Sequence, residues 1–189
     1  MTLSNEIEKT HYTYTDYAKW ETELKYELID GIAYSFAAPS TNHQRISRKL
    51  TKQLDNYLEG KSCELFVAPF DIRLNSDTFD DTVIQPDLVV ICDKSKLGKN
   101  SFNGVPDLII EITSPSTISY DRVRKYNLYL KTGVKEYWIV DPESQTVNVF
   151  ILDDKNYIGF AYEANDVIHS QVLVDCIVDL KPIFELEER

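Results

Sequence analysis

Two short aliphatic runs, Leu88–Cys92 and Leu108–Ile112, constrain this chain more than any other feature. Each is one strand long, far short of the ~20 residues of a membrane-spanning helix. Each is apolar at successive rather than alternate positions. Such a strand is buried on both faces, as in the centre of a layered α/β sheet. The second run is interrupted by a carboxylate, Glu111, between Ile110 and Ile112. Strand alternation puts Asp107, Ile109, Glu111 and Thr113 on one face and Leu108, Ile110 and Ile112 on the other.

A carboxylate in that position costs several kcal/mol unless it is paired or bound to metal. Both resolutions have partners in the sequence. Pro86-Asp87 opens the first run, and two carboxylates from adjacent strand ends can hold Mg²⁺, which takes oxygen ligands and keeps several waters. A nearby lysine then balances charge, a set suited to phosphodiester hydrolysis. The alternative is a structural salt bridge from Glu111 to Arg124 or Lys125, on the helix that begins at Asp121. His43, just after Asn42 at a helix start, is placed either to contact a phosphate or as an ordinary first-turn residue. Glu27, before Leu28-Ile29, either approaches the same sheet end or is an exposed strand-start acid. His11 and His169 read as surface residues.

The remaining pattern is that of one mixed sheet flanked by helices. Helices are expected over Thr13–Thr22, His43–Leu58 and Asp121–Thr132, with Val123, Tyr126, Asn127 and Leu130 on one side of the last. Asp30-Gly31 marks a hairpin turn, and Asp93–Gly104 a polar loop. Glu136–Val140, Thr146–Leu152 and Tyr157–Tyr162 read as an antiparallel set. Val172–Cys176 reads as a last strand, and Leu180–Phe184 as one helical turn. At 189 residues, a single domain, 1–189, buries roughly 70% of its extended surface without needing a metal or disulfide.

The net charge is −11, which argues against indiscriminate nucleic-acid binding. Yet segments 42–61 and 94–135 carry +3 and +5, and a groove lined by both would accept a phosphate backbone. Cys63, Cys92 and Cys176 have no CxxC spacing, Cys92 reads as a buried thiol, and a reduced, cytoplasmic protein is expected. The first residues lack the basic and apolar regions of a secretory signal. Nucleophile-elbow, P-loop and dinucleotide motifs are missing.

Taken together, several stretches resemble a restriction-endonuclease-like family abundant in cyanobacteria, a branch of the PD-(D/E)XK nuclease superfamily. They are Tyr26–Gly31, Asn42-His43-Gln44, Gln85–Val90, Pro106–Thr117, Asp121–Lys125 and Gly133–Pro142. The resemblance implies a restriction-endonuclease-like core, a mixed α/β sheet with flanking helices and extra antiparallel strands. It implies Mg²⁺-dependent hydrolysis, with Mn²⁺ as a substitute, and nucleic acid, DNA foremost, as substrate. Asp87 and Glu111 match the two metal-binding acids. The usual lysine two positions after the second acid is Thr113 here, and its counterpart on the following helix is Lys125. Glu27 and His43 match further positions near the site, and so does Asp107. A homodimer suits cutting of both strands of a duplex. The rival reading is a catalytically inactive module of the same fold that binds DNA or another protein.

Overall fold

The computed structural model describes residues 10–21, 25–114 and 120–185. In chain order its strands are β1 (Lys25–Ile29), β2 (Ile32–Phe36), β3 (Glu64–Val67), β4 (Asp71–Arg73), β5 (Val83–Ile84), β6 (Leu88–Ile91), β7 (Ser101–Asn103), β8 (Leu108–Ile112), β9 (Glu136–Asp141), β10 (Thr146–Asp153), β11 (Asn156–Glu163), β12 (Val167–His169) and β13 (Ile177–Asp179). The α-helices are α1 (Tyr14–Tyr17), α2 (Thr41–Leu58), α3 (Tyr126–Thr132) and α4 (Lys181–Phe184). Two compact units emerge, one from Met1–Ala38, Phe70–Gln85 and Lys96–Gly104, the other from Pro39–Pro69, Pro86–Ser95 and Val105–Arg189.

The first unit is a five-stranded sheet in the order β2-β1-β5-β4-β7. Asp30 and Gly31 both take positive φ, 48° and 74°, as a tight two-residue hairpin turn requires. The expected loop 93–104 instead contains β7, which pairs parallel to β4. Its alternation is too short to register as a strand period. α1 is shorter than expected, with the Thr13 N–H and hydroxyl both donating to Asp16. The far end of that expected helix, at Thr22, lies outside the described residues. His11 is exposed, as expected, and pairs with Asp81 at 2.9 Å.

The second unit holds a six-stranded mixed sheet, β11-β10-β9-β8-β6-β3. β6 is antiparallel to both β3 and β8, β8 and β9 are parallel, and β9, β10 and β11 form an antiparallel meander. The expected single sheet is thus divided, since β1, β2, β4, β5 and β7 pair among themselves. One face of the larger sheet carries Leu88, Val90, Leu108, Ile110, Ile112, Trp138 and Val140 into a core with Ile46, Leu50, Leu54 and Leu58 of α2. These four recur every four residues, which gives the helix its apolar stripe. Ser40 caps α2 by accepting the His43 N–H at 3.2 Å. The chain end also packs on this core, through Val178, Ile183 and Phe184. Val172–Cys176 is not a strand; the pairing there is β12 with β13, on either side of it.

The cysteine expectation is corrected. Glu64 stands opposite Ile91, so one further step of register brings Cys63 opposite Cys92, and the two form a disulfide. Cys92 is therefore not a free thiol; the free, buried cysteine is Cys176. No helix among the described residues is long and apolar enough to cross a membrane.

Candidate active site

The site is built at the ends of β6 and β8. Leu88 lies opposite Ile110 in their antiparallel register. Asp87, the residue before β6, and Glu111, within β8, flank this pair. Asp87 Oδ2 accepts the backbone N–H of Ile112 at 2.8 Å and faces His43 Nε2 at 3.1 Å. Asp87 keeps 20% of its side chain exposed and His43 12%. Donation from Nε2 leaves the buried His43 Nδ1 without a hydrogen-bond partner among the described residues.

Glu111 is buried, as expected of its place in the run. Its Oε1 accepts from Lys125 Nζ at 2.8 Å and from the Tyr129 hydroxyl at 2.7 Å. Lys125 is itself only 4% exposed, with Asp121 Oδ1 at 3.9 Å. The helix bearing these groups begins as a π-helix, Tyr120–Lys125, before tightening into α3. Its buried face is Asp121, Lys125, Leu128 and Tyr129, whereas Val123 is 59% exposed. The expected face of Val123, Tyr126, Asn127 and Leu130 is thus wrong by nearly half a turn, because that reading ranked side chains by hydrophobicity and the wide first turn buries an ion pair. Widened turns of this kind recur at functional sites. Tyr129 was not anticipated; its i, i+4 spacing from Lys125 was the available signal.

Other candidates are resolved individually. Thr113, where the superfamily has lysine, is buried and donates to the Val140 carbonyl through both its N–H and its hydroxyl. Asp107, about 13 Å along the strand from Glu111, accepts from the Cys92 N–H and from Lys135. It ties down the opposite end of β8. Glu27 belongs to the first unit, where it is buried and accepts the Gln85 N–H at 2.8 Å. Of the cations in 94–135, Lys125 pairs with Glu111, Arg122 with Asp141, Lys135 with Asp107 and Lys94 with Glu64. Much of that segment's positive charge is therefore compensated locally. Pro115–Thr117 lies outside the described residues.

The Tyr137 hydroxyl donates to the Asp121 carbonyl at 3.2 Å. Burial, and then the charges of Glu111 and Asp121, hold it well above the usual tyrosine range. Burial also raises Tyr17 and Tyr157 and pushes the Cys176 thiol from 9.0 up to about 11. All four are acids whose folded pKa exceeds the unfolded one. Their stabilising contribution is complete below the unfolded value and is lost as pH rises through the folded value. Stability is expected to fall from about pH 9, first through Cys176, whose window runs from 9.0 to about 11. Urea unfolding at stepped pH checks this, and a midpoint that stays level across that window would contradict it.

The parallel β8–β9 crossover beside the antiparallel β6/β8 pair, with Lys125 on the crossover helix bonded to Glu111, is the frame of the site. A crystal structure described as "a putative nuclease belonging to DUF820" from Anabaena variabilis superposes with a TM-score of 0.75 at 21% identity, covering 91% of this chain and 97% of that one. Two uncharacterized Synechocystis proteins are each 31% identical, one over 156 residues and 80% of both chains, the other over 123 residues, 62% of this chain and 66% of its own. The family model Uma2, described as "Putative restriction endonuclease", matches residues 14–180, and the chain belongs to that family.

Proposed function

We propose that this protein is a divalent-metal-dependent nuclease acting on DNA, with Asp87 and Glu111 as the metal-binding acids. The observation that carries this reading is the β6/β8 pairing, whose Leu88–Ile110 pair is flanked by Asp87 and Glu111, with Lys125 Nζ 2.8 Å from Glu111. The donor set fits Mg²⁺ or Mn²⁺. The two carboxylates offer only oxygen, the ligand that these ions prefer; among the described residues no group of three His, Cys, Asp or Glu side chains is placed to hold a metal ion. Divalent metal held there supplies positive charge to the phosphate and acidifies the attacking water.

The chain's own residues do the rest. The Ile112 N–H and His43 Nε2 fix the Asp87 carboxylate, and Tyr129 fixes Glu111. Lys125 supplies fixed positive charge where negative charge gathers on the phosphate. The rival reading, an inactive module, draws on the two donors already engaging Glu111 Oε1.

Calorimetric titration of Mn²⁺ and Mg²⁺, with and without a non-cleavable oligonucleotide, decides between them. Binding to the intact protein that disappears in the Asp87→Asn/Glu111→Gln variant is expected. Failure of the intact protein to bind under both conditions would overturn the metal assignment and leave the inactive module.

A further inference from the structure

β11 closes one edge of the larger sheet, and its eight residues pair with β10 without a bulge. From Tyr157 to Tyr162 it has no charge and no proline, and Ile158 and Phe160 are 47% and 49% exposed. The opposite edge, β3, is only four residues long and opens on Glu64. Monomeric proteins blunt long apolar edges with charge, proline or bulges; β11 has none of these along its middle.

The direction of its backbone groups follows from the hairpin. The two-residue turn Asp154-Lys155 closes on the pair Asp153/Asn156, so alternate residues from Asn156 bond to β10. Tyr157, Gly159, Ala161 and Glu163 then direct their N–H and C=O groups outward. The Glu163 N–H conforms, donating to Asp166 at 2.8 Å rather than to β10.

We propose that β11 docks antiparallel against β11 of a second copy of this chain, about a two-fold axis at Gly159. A two-fold normal to the sheet sets the axial residue opposite itself, and the remaining pairs follow. Ile158 meets Phe160 of the partner subunit, and Tyr157 meets Ala161 of the partner subunit. Lys155 meets Glu163 of the partner subunit. The exposed apolar pair is thereby covered twice, and Lys155, beside Asp154, faces a carboxylate. The two six-stranded sheets join into one of twelve strands. This pairing is independent of whether the site on β6 and β8 cleaves anything.

Sedimentation equilibrium of the full chain is expected to show a monomer–dimer equilibrium in the micromolar range. Lys155→Glu and Glu163→Lys, both exposed changes that leave the β10 pairing intact, are each expected to weaken dimerisation about tenfold. The double reversal is expected to restore it. Hydrogen exchange gives a second reading, because the amides of Tyr157, Gly159 and Ala161 become protected as concentration rises. A monomer at every concentration would overturn the proposal. So would a dimer that ignores the charge reversals and leaves those three amides fast.

Discussion

Glu111→Gln and Asp87→Asn are each expected to lower metal-dependent cleavage of nucleic acid by about a thousandfold or more while the protein remains folded. The isosteric changes matter. Glu111→Ala would leave Lys125 buried at 4% exposure without its nearest carboxylate, and removing one partner of a buried pair costs ~3–5 kcal/mol. Asp87→Ala would strip the Ile112 N–H of its acceptor. Glutamine and asparagine keep a carbonyl oxygen for those donors but remove the negative charge that would hold a metal under the proposed function. Lys125→Met belongs in the same series. It is expected to depress the rate strongly with little change in metal affinity, because it removes charge at the phosphate rather than a ligand. Single-turnover cleavage of a plasmid and of a single-stranded oligonucleotide, with and without Mn²⁺, provides the measurement. Undiminished metal-dependent cleavage by both carboxamide variants would remove these residues from the chemistry.

The second large effect concerns stability alone. Glu136 is completely buried at the start of β9. Its Oε1 accepts from Trp138 Nε1 at 2.7 Å, and its Oε2 from the Ser170 hydroxyl and the Gln171 and Val172 N–H groups at 2.9, 2.9 and 3.0 Å. Four donors converge on one carboxylate and pin the loop after β12 to the sheet. Glu136→Ala leaves all four unsatisfied and is expected to cost about 3–5 kcal/mol, by analogy with breaking a buried charged network. That is a large fraction of the 5–15 kcal/mol of a typical domain. Glu136→Gln preserves the shape but turns an amide N–H₂ toward a donor, and is expected to lose somewhat less. Denaturant midpoints of the two variants against the parent measure the difference. A shift of Glu136→Ala within error of the parent would show that the loop is held by its apolar contacts instead.

Much of the central frame was legible in local sequence. The aliphatic runs of β6 and β8 demanded burial on both faces, and the alternation around Glu111 assigned its face correctly, with Leu108, Ile110 and Ile112 in the α2 core. The four-residue recurrence from Ile46 to Leu58 defined α2, and Asp30-Gly31 defined a turn. Such features are carried by residues adjacent in the chain, so one sequence is enough to show them. The acids and the lysine of the candidate site were also nameable, because a charge inside an apolar strand is costly and therefore conspicuous.

What the sequence alone could not supply were the relations between distant segments. That Lys125 rather than Arg124 reaches Glu111 depends on a π-turn that no composition signals. Tyr129 and Glu136 became informative only once their partners, 18 and 34–36 residues away, were in place. The division of strands into separate sheets and the meeting of Cys63 with Cys92 are consequences of register between strands far apart in the chain. Register is fixed by the sum of many side-chain contacts across the sheet. Local sequence determined which residues had to be buried; tertiary pairing decided which charged and polar groups they were buried with.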